Sequence, residues 1–396
     1  MKYAFVGLFA ACLGVTTFFI TTDPLQRNVQ TIPGTLTGPF HTTNTHIPFD
    51  QPSKRIQVAL LLDTSNSMDG LIDQARSQLW KMVNELAAAS KDEESASLEI
   101  ALYQYGNDGL SMRNGYVQQI LPLTTDLDAV SEALFELTTN GGSEYAPWTI
   151  VEAATDMDWT DEDGALRIAV IAGNEDFAQG SVTVQQACEA AALRDISVNP
   201  VFCGDYRQGI QLGWKQMDCT GGTYLNIDHN DKVAHVPTPY DAEVIALNAR
   251  LNATYIGYGN DREVRIMSQM TQDANAMSVA PANARTRAFA KSKKVYKNAN
   301  WDLVDYAEAE PAAVADIAAE TLPDTLRAMD SEARVAFVQQ KAEERAAIQQ
   351  QLLAMEKKVN AYIAEQQQQA NEGKTLDNVL IGTIREQATR NGFSFH

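Results

Sequence analysis

A chain of 396 residues has room for two or three domains, each able to bury a core, and its 45% hydrophobic content is ordinary for a globular protein. Its 31 basic and 51 acidic side chains leave a net charge of −20. That balance repels nucleic-acid phosphates and anionic lipid head groups, and it argues against nucleic acid as a partner.

Met1-Lys2 is followed by an uncharged apolar stretch from Tyr3 to Ile20, which reads as a secretory signal or an uncleaved anchor. The stretch is short for a bilayer span and long for the apolar region of a signal peptide. No A-x-A cleavage site follows it. Phe9-Ala10-Ala11-Cys12 makes a poor lipobox, because apolar sequence continues past the cysteine. Residues 1–21 are expected to export the rest to the periplasm or cell envelope, with cleavage and anchoring both open. Residues 22–54, rich in Thr, Pro, Asn and Gly, read as a linker.

From residue 55 to about 236, strand and helix patterns alternate. Strands are expected at Ile56–Leu62, Leu98–Tyr103, Val117–Leu123, Leu166–Ala172, Ser197–Cys203 and Thr223–Ile227. Helices are expected near Leu71–Ala88, Leu127–Thr138, Pro147–Met157, Val182–Leu193 and Gly209–Met217. Such alternation gives an α/β fold with a doubly wound, mostly parallel sheet. Only a loop separates the second and third strands, which suggests one antiparallel edge strand.

The first strand runs into Asp63-Thr64-Ser65-Asn66-Ser67, a D-x-S-x-S motif followed by a helical pattern from Gly70 to Leu86. One carboxylate and two hydroxyls thus sit at the carboxyl edge of the sheet, where open α/β sheets bind ligands. Hard divalent cations take oxygen ligands, and Mg²⁺ tolerates an incomplete protein shell because it keeps waters. The alternative is an Asp/Ser turn in which Asp63 caps the helix.

This motif resembles the metal-ion-dependent adhesion site of von Willebrand factor type A domains, over roughly residues 55–230. The resemblance implies a Rossmann-like type A fold with Mg²⁺ (or Mn²⁺) bound by Asp63, Ser65 and Ser67. It also implies a partner protein whose carboxylate supplies a further ligand. The second-loop ligand falls in Thr138-Thr139-Asn140-Gly141-Gly142-Ser143-Glu144, with Ser143 matching best and Thr139 second. In the third loop many family members read T-D-G, whereas direct alignment places Gly173 at the acidic position. Asn174 or Glu175 is then the ligand, Asn174 being preferred. Thr220-Gly221-Gly222-Thr223-Tyr224 matches the family's approach to its last strand. The stretches DTSNSMDGLIDQA, YGNDGL, TTNGGSEY, IAGNEDF and CGDYRQGI also look like those of bacterial exported type A proteins.

Residues 237–396 read as an α-helical C-terminal region, with helices over Asp241–Arg250 and Glu263–Met277 and a docking element at Trp301-Asp302-Leu303-Val304. Within residues 331–369, Ile348, Leu352, Met355, Val359 and Tyr362 form a short heptad seam. It fits either a short coiled coil or a helix packed on the body. Outside Cys12 there remain Cys188, Cys203 and Cys219; a Cys203–Cys219 disulfide and three free thiols are both open. Asn226 to Asp231 has oxygens enough for calcium but not EF-hand spacing. Neither G-x-S-x-G nor a Walker A loop occurs, and the histidines (His41, His46, His229, His235 and His396) lie away from the predicted ligand-binding edge. The expectation is a non-enzymatic, exported and membrane-anchored binding protein. Three alternatives remain: a structural domain with a vestigial metal site, a subunit working with an AAA+ ATPase, and a metal-dependent hydrolase using Glu144 or Glu175 as base.

Overall fold

Eight of the nine residues of β1 (Arg55–Asp63) are buried, a pattern that needs a strand covered on both faces. In the computed structural model, which describes residues 54–204, 209–227, 235–370 and 376–395, β1 is central to a six-stranded sheet. It pairs in parallel with β4 (Ser97–Tyr105) on one side and β6 (Leu166–Gly173) on the other. Parallel β7 (Ile196–Cys203) and β8 (Leu225–Ile227) extend the sheet. Antiparallel β5 (Val117–Thr124) closes the far edge, giving the order β5-β4-β1-β6-β7-β8. The export segment 1–21, nearly all of the 22–54 linker and the 228–231 part of the calcium-like turn lie outside the described residues.

Side-chain alternation along β1 feeds two cores. Val58, Leu60 and Leu62 pack with Trp80 and Val83 of α1 (Asp69–Leu86) and with Val130 and Leu134 of α2 (Leu127–Glu136). Ala59 and Leu61 face Ile150 of α3 (Ala146–Asp156), Ala187 of α4 (Val184–Leu193) and Trp214 of α5 (Gln211–Lys215). A small antiparallel sheet of β2 (Ala89–Lys91), β3 (Glu94–Ser95) and β9 (Ser394–Phe395) joins the chain's tail to the end of α1. Strands of two or three residues have too little alternation to register in sequence.

The C-terminal helices are α6 (Asp241–Asn252), α7 (Arg262–Val279), α8 (Pro281–Lys291), α9 (Leu303–Ala309), α10 (Asp324–Arg327), α11 (Ser331–Ala370) and α12 (Leu376–Arg390). Ala290, Tyr296, Ile384 and Ala388 from this region complete the first sheet core, so the core continues past residue 236. The heptad seam packs within the chain: Ile348, Leu352, Met355 and Val359 lie against Val244, Leu247 and Leu251 of α6 and Phe289 of α8. Tyr362 meets Tyr240 edge-on at 6.4 Å. Trp301, Leu303 and Val304 are buried as a docking element should be. Among the described residues, no helix is long and apolar enough to cross a membrane.

The cysteines follow neither of the two alternatives left open by the sequence. Cys188 of α4 bonds Cys219, and Cys203 is a buried free thiol. The two faces of the sheet explain it. Cys203 points into the core beneath α1, while Cys188 packs over the opposite core. The bridge closes a separation of 31 residues, so reduction is expected to cost roughly 3–4 kcal/mol on the chain-entropy model. Thermal melts with and without dithiothreitol test this. Alkylation after denaturation without reductant should label Cys203 but neither Cys188 nor Cys219.

Candidate metal centre

The crevice lies where the sheet reverses direction: after β1 the chain goes outward to β4, then returns to place β6 on the other side of β1. Loops at the carboxyl ends of β1, β4 and β6, with the α2–α3 connection, meet there. β1 delivers Asp63 with no exposed surface. Its Oδ1 accepts the backbone N–H of Ser65 at 2.8 Å, while Oδ2 is buried without a partner. Burial pushes its carboxyl up to about 7. The Ser65 hydrogen bond and the nearby Asn174 backbone dipole oppose the rise, and the Glu175 charge adds to it.

Ser65 is nearly as buried, and its hydroxyl lies 3.3 Å from that of Ser67. Asn174 Nδ2 donates to Ser67 Oγ at 2.9 Å, which ties the third loop to the first. Thr64 is turned away, donating its hydroxyl to the Tyr105 carbonyl at 3.1 Å. The structure therefore brings Asp63, Ser65, Ser67 and Asn174 together.

The α2–α3 loop is stapled in place from both sides. Asn140 N–H donates to Thr64 O at 2.9 Å, Asp108 N–H to Gly141 O at 2.6 Å, and Asn107 Nδ2 to Thr138 O at 3.1 Å. Ser143 on this loop is half-buried. Thr139 bonds Asp69 with its hydroxyl. The side chain that enters the cluster belongs to the next residue, Glu144, which is 7% exposed, with Oε2 buried and unpartnered among the described residues. Burial, then the Asp63 charge, pushes its carboxyl up to about 8.

Gly173 has a steric reason to be glycine. An added Cβ would run into the Tyr105 hydroxyl, which donates to Ala172 O at 2.9 Å, and would lie 3.1 Å from Trp214. No acidic side chain fits there, so the third loop's polar groups begin at Asn174. Trp214 Nε1 donates to Glu175 O at 2.8 Å and holds that loop down. Gly106, with φ +78°, carries the second close approach: a Cβ there would lie 2.7 Å from Asp63 Oδ1 and 2.8 Å from Glu144 Cγ. Gly106→Ala, strained in backbone and crowding both carboxylates, should weaken cation binding at least roughly tenfold, since metal affinity follows ligand placement. Mn²⁺ titration checks it.

Among the described residues, no cluster of three or more His, Cys, Asp or Glu could hold a metal ion on its own. The groups present are instead mixed carboxylate, hydroxyl and amide oxygens, which suit a hard divalent cation. Two buried carboxylate oxygens without a partner are what such an ion would satisfy. Five parallel strands, one antiparallel edge and a D-x-S-x-S loop at the switch point settle the architecture. The domain has the von Willebrand factor type A fold.

No family model matches the chain and no curated protein does. Among solved structures, this type A fold is similar to proximal thread matrix protein 1 from the mussel byssus, described with a zinc-occupied MIDAS motif. That likeness is 8% identical over 46% of this chain and 43% of that one, with a TM-score of 0.34. A von Willebrand factor type A protein from Catenulispora acidiphila is 15% identical over 44% and 39%, TM-score 0.31. The SpRpn10 VWA domain is 12% identical over 46% and 90%, TM-score 0.32. The chain thus spans less than half the length of the first two. Strand order, rather than these remote likenesses, defines the fold.

Proposed function

We propose that this is an exported, non-catalytic binding protein of the cell envelope. Its type A domain holds Mg²⁺ or Mn²⁺ through Asp63, Ser65, Ser67 and Asn174, and the ion engages an acidic group of a partner protein. One observation carries the reading: Asp63 Oδ2 is fully buried at the switch point with no hydrogen-bond partner among the described residues. An uncompensated buried carboxylate is costly, and a cation at this position supplies the missing charge. The bound ion contributes the strongest local field at the crevice, and the surrounding loops set which partner fits. Asn174 Nδ2 and the two serine hydroxyls orient the site. The Cys188–Cys219 disulfide supports export to an oxidising compartment.

The test is isothermal titration of Mg²⁺ and Mn²⁺ into wild type and Asp63→Ala. Binding present in the first and lost in the second is expected. Wild type that binds neither ion, alone or with an acidic peptide, would mean that the metal site is vestigial and the fold structural.

A further inference from the structure

Glu144 has no role in the reading above, yet it is the second carboxylate of the same crevice. Its Oε2 is buried and, among the described residues, unpartnered. The space above Gly106 is flanked by Asp63 Oδ1 on one side and Glu144 Cγ on the other. Among the described residues, the charges that act most on the two carboxyls are those of acids: Glu175 on both, and Asp63 on Glu144. Two acids at such an approach repel, and among the described residues one oxygen of each carboxyl is left without a hydrogen-bond donor.

Resting on the metal reading, we infer that Glu144 is this chain's own carboxylate ligand for the cation, a built-in competitor for the acidic group of a partner. The charge count gives the reason. A divalent ion beside Asp63 and Glu144 is neutralised, and an arriving carboxylate finds no net positive field. With Glu144 withdrawn, one unit of positive charge remains and attracts an acidic group. The resting site is therefore closed by its own chain, and a partner opens it by displacing Glu144. Glu144 lies just before α3, on a loop whose backbone is held by Asn140 and Gly141, so displacement requires only side-chain rotation.

The experiment is Mn²⁺ titration of the full chain, in chloride buffer and with added acetate, for wild type, Glu144→Gln, Ser143→Ala and Asp63→Ala. Glu144→Gln should lose at least roughly tenfold in affinity, because carboxylate count tunes affinity for hard cations. Acetate should restore it by filling the vacated place. Wild type should be indifferent to acetate, and Asp63→Ala should bind in neither buffer. Melts in EDTA confirm that Glu144→Gln is folded. Wild-type affinity in Glu144→Gln overturns the inference, as does equal acetate enhancement in wild type and variant. A loss confined to Ser143→Ala returns the second-loop role to that residue. Failure of wild type to bind Mn²⁺ in either buffer overturns the metal reading itself, and this inference with it.

Discussion

In EDTA, Asp63→Asn should melt at a higher temperature than wild type, and in excess Mn²⁺ the order should reverse. The amide keeps the size and the acceptor oxygen that receives the Ser65 N–H, but it removes a buried charge whose Oδ2 has no partner among the described residues. The pH dependence has a definite sign. The Asp63 carboxyl is raised in the folded state from 3.8 to about 7, first by burial. The unfolded chain therefore releases its proton first, and metal-free stability falls as pH rises between those values. A shift of this size corresponds to a ceiling of roughly 4 kcal/mol. Glu144, raised to about 8, extends the decline upward. The two titrate as a pair, so their effects do not add. A bound divalent ion removes the cause, and at a hundred times its dissociation constant it adds about 2.7 kcal/mol. Urea unfolding at pH 5.5 and 8, in EDTA and in Mn²⁺, measures all of this. A flat metal-free profile, or an Asp63→Asn protein that melts lower in EDTA, would sink it.

What the sequence showed of this centre follows from which signals are local. Asp63, Ser65 and Ser67 are a contiguous motif after an unbroken apolar run, so periodicity and spacing locate them. Asn174 was reachable because β6 is also a continuous apolar strand and its end can be counted. Glu144 carried only a weak signal, an acid following two glycines just ahead of a helix, and nothing in one dimension tells whether Ser143 or Glu144 turns inward. Gly173 was legible as a departure from the family pattern, but its reason is the Tyr105 hydroxyl from two strands away. The same holds for the cysteines. Spacing made Cys203 look available, and only the two-faced sheet shows that it points away from Cys188 and Cys219. α8 gives no clean apolar stripe in sequence, because Asn283, Arg285, Arg287 and Lys291 form a polar face buried beside Ala282, Ala288, Phe289 and Ala290.

That polar face sets the second large effect. Arg287, 1% exposed, bonds Asp128 of α2 at 2.7 Å and Asp273 of α7 at 2.6 Å, and its guanidinium lies 4.6 Å from the Trp80 ring of α1. Tyr296 donates to the other Asp128 oxygen at 2.6 Å, and Lys291 pairs with Asp273 at 3.0 Å. Burial alone would raise Asp273, but Lys291 and Arg287 hold it well below the usual carboxylate range. One side chain thus joins the helical region to two helices of the type A domain. Arg287→Met is expected to destabilise the whole protein by about 3–5 kcal/mol, because it strands buried carboxylates rather than merely losing contacts. Arg287→Lys should recover little, since an ammonium cannot serve two carboxylates and a ring in fixed geometry. If stranded charge is the cause, adding Asp128→Asn to Arg287→Met should restore part of the loss, a non-additivity visible in a double-mutant cycle. A strictly additive cycle would mean that packing against Trp80 carries the cost. A single-variant loss confined to the helical region, with the sheet still melting at its wild-type temperature, would mean that the two parts fold independently despite their shared core.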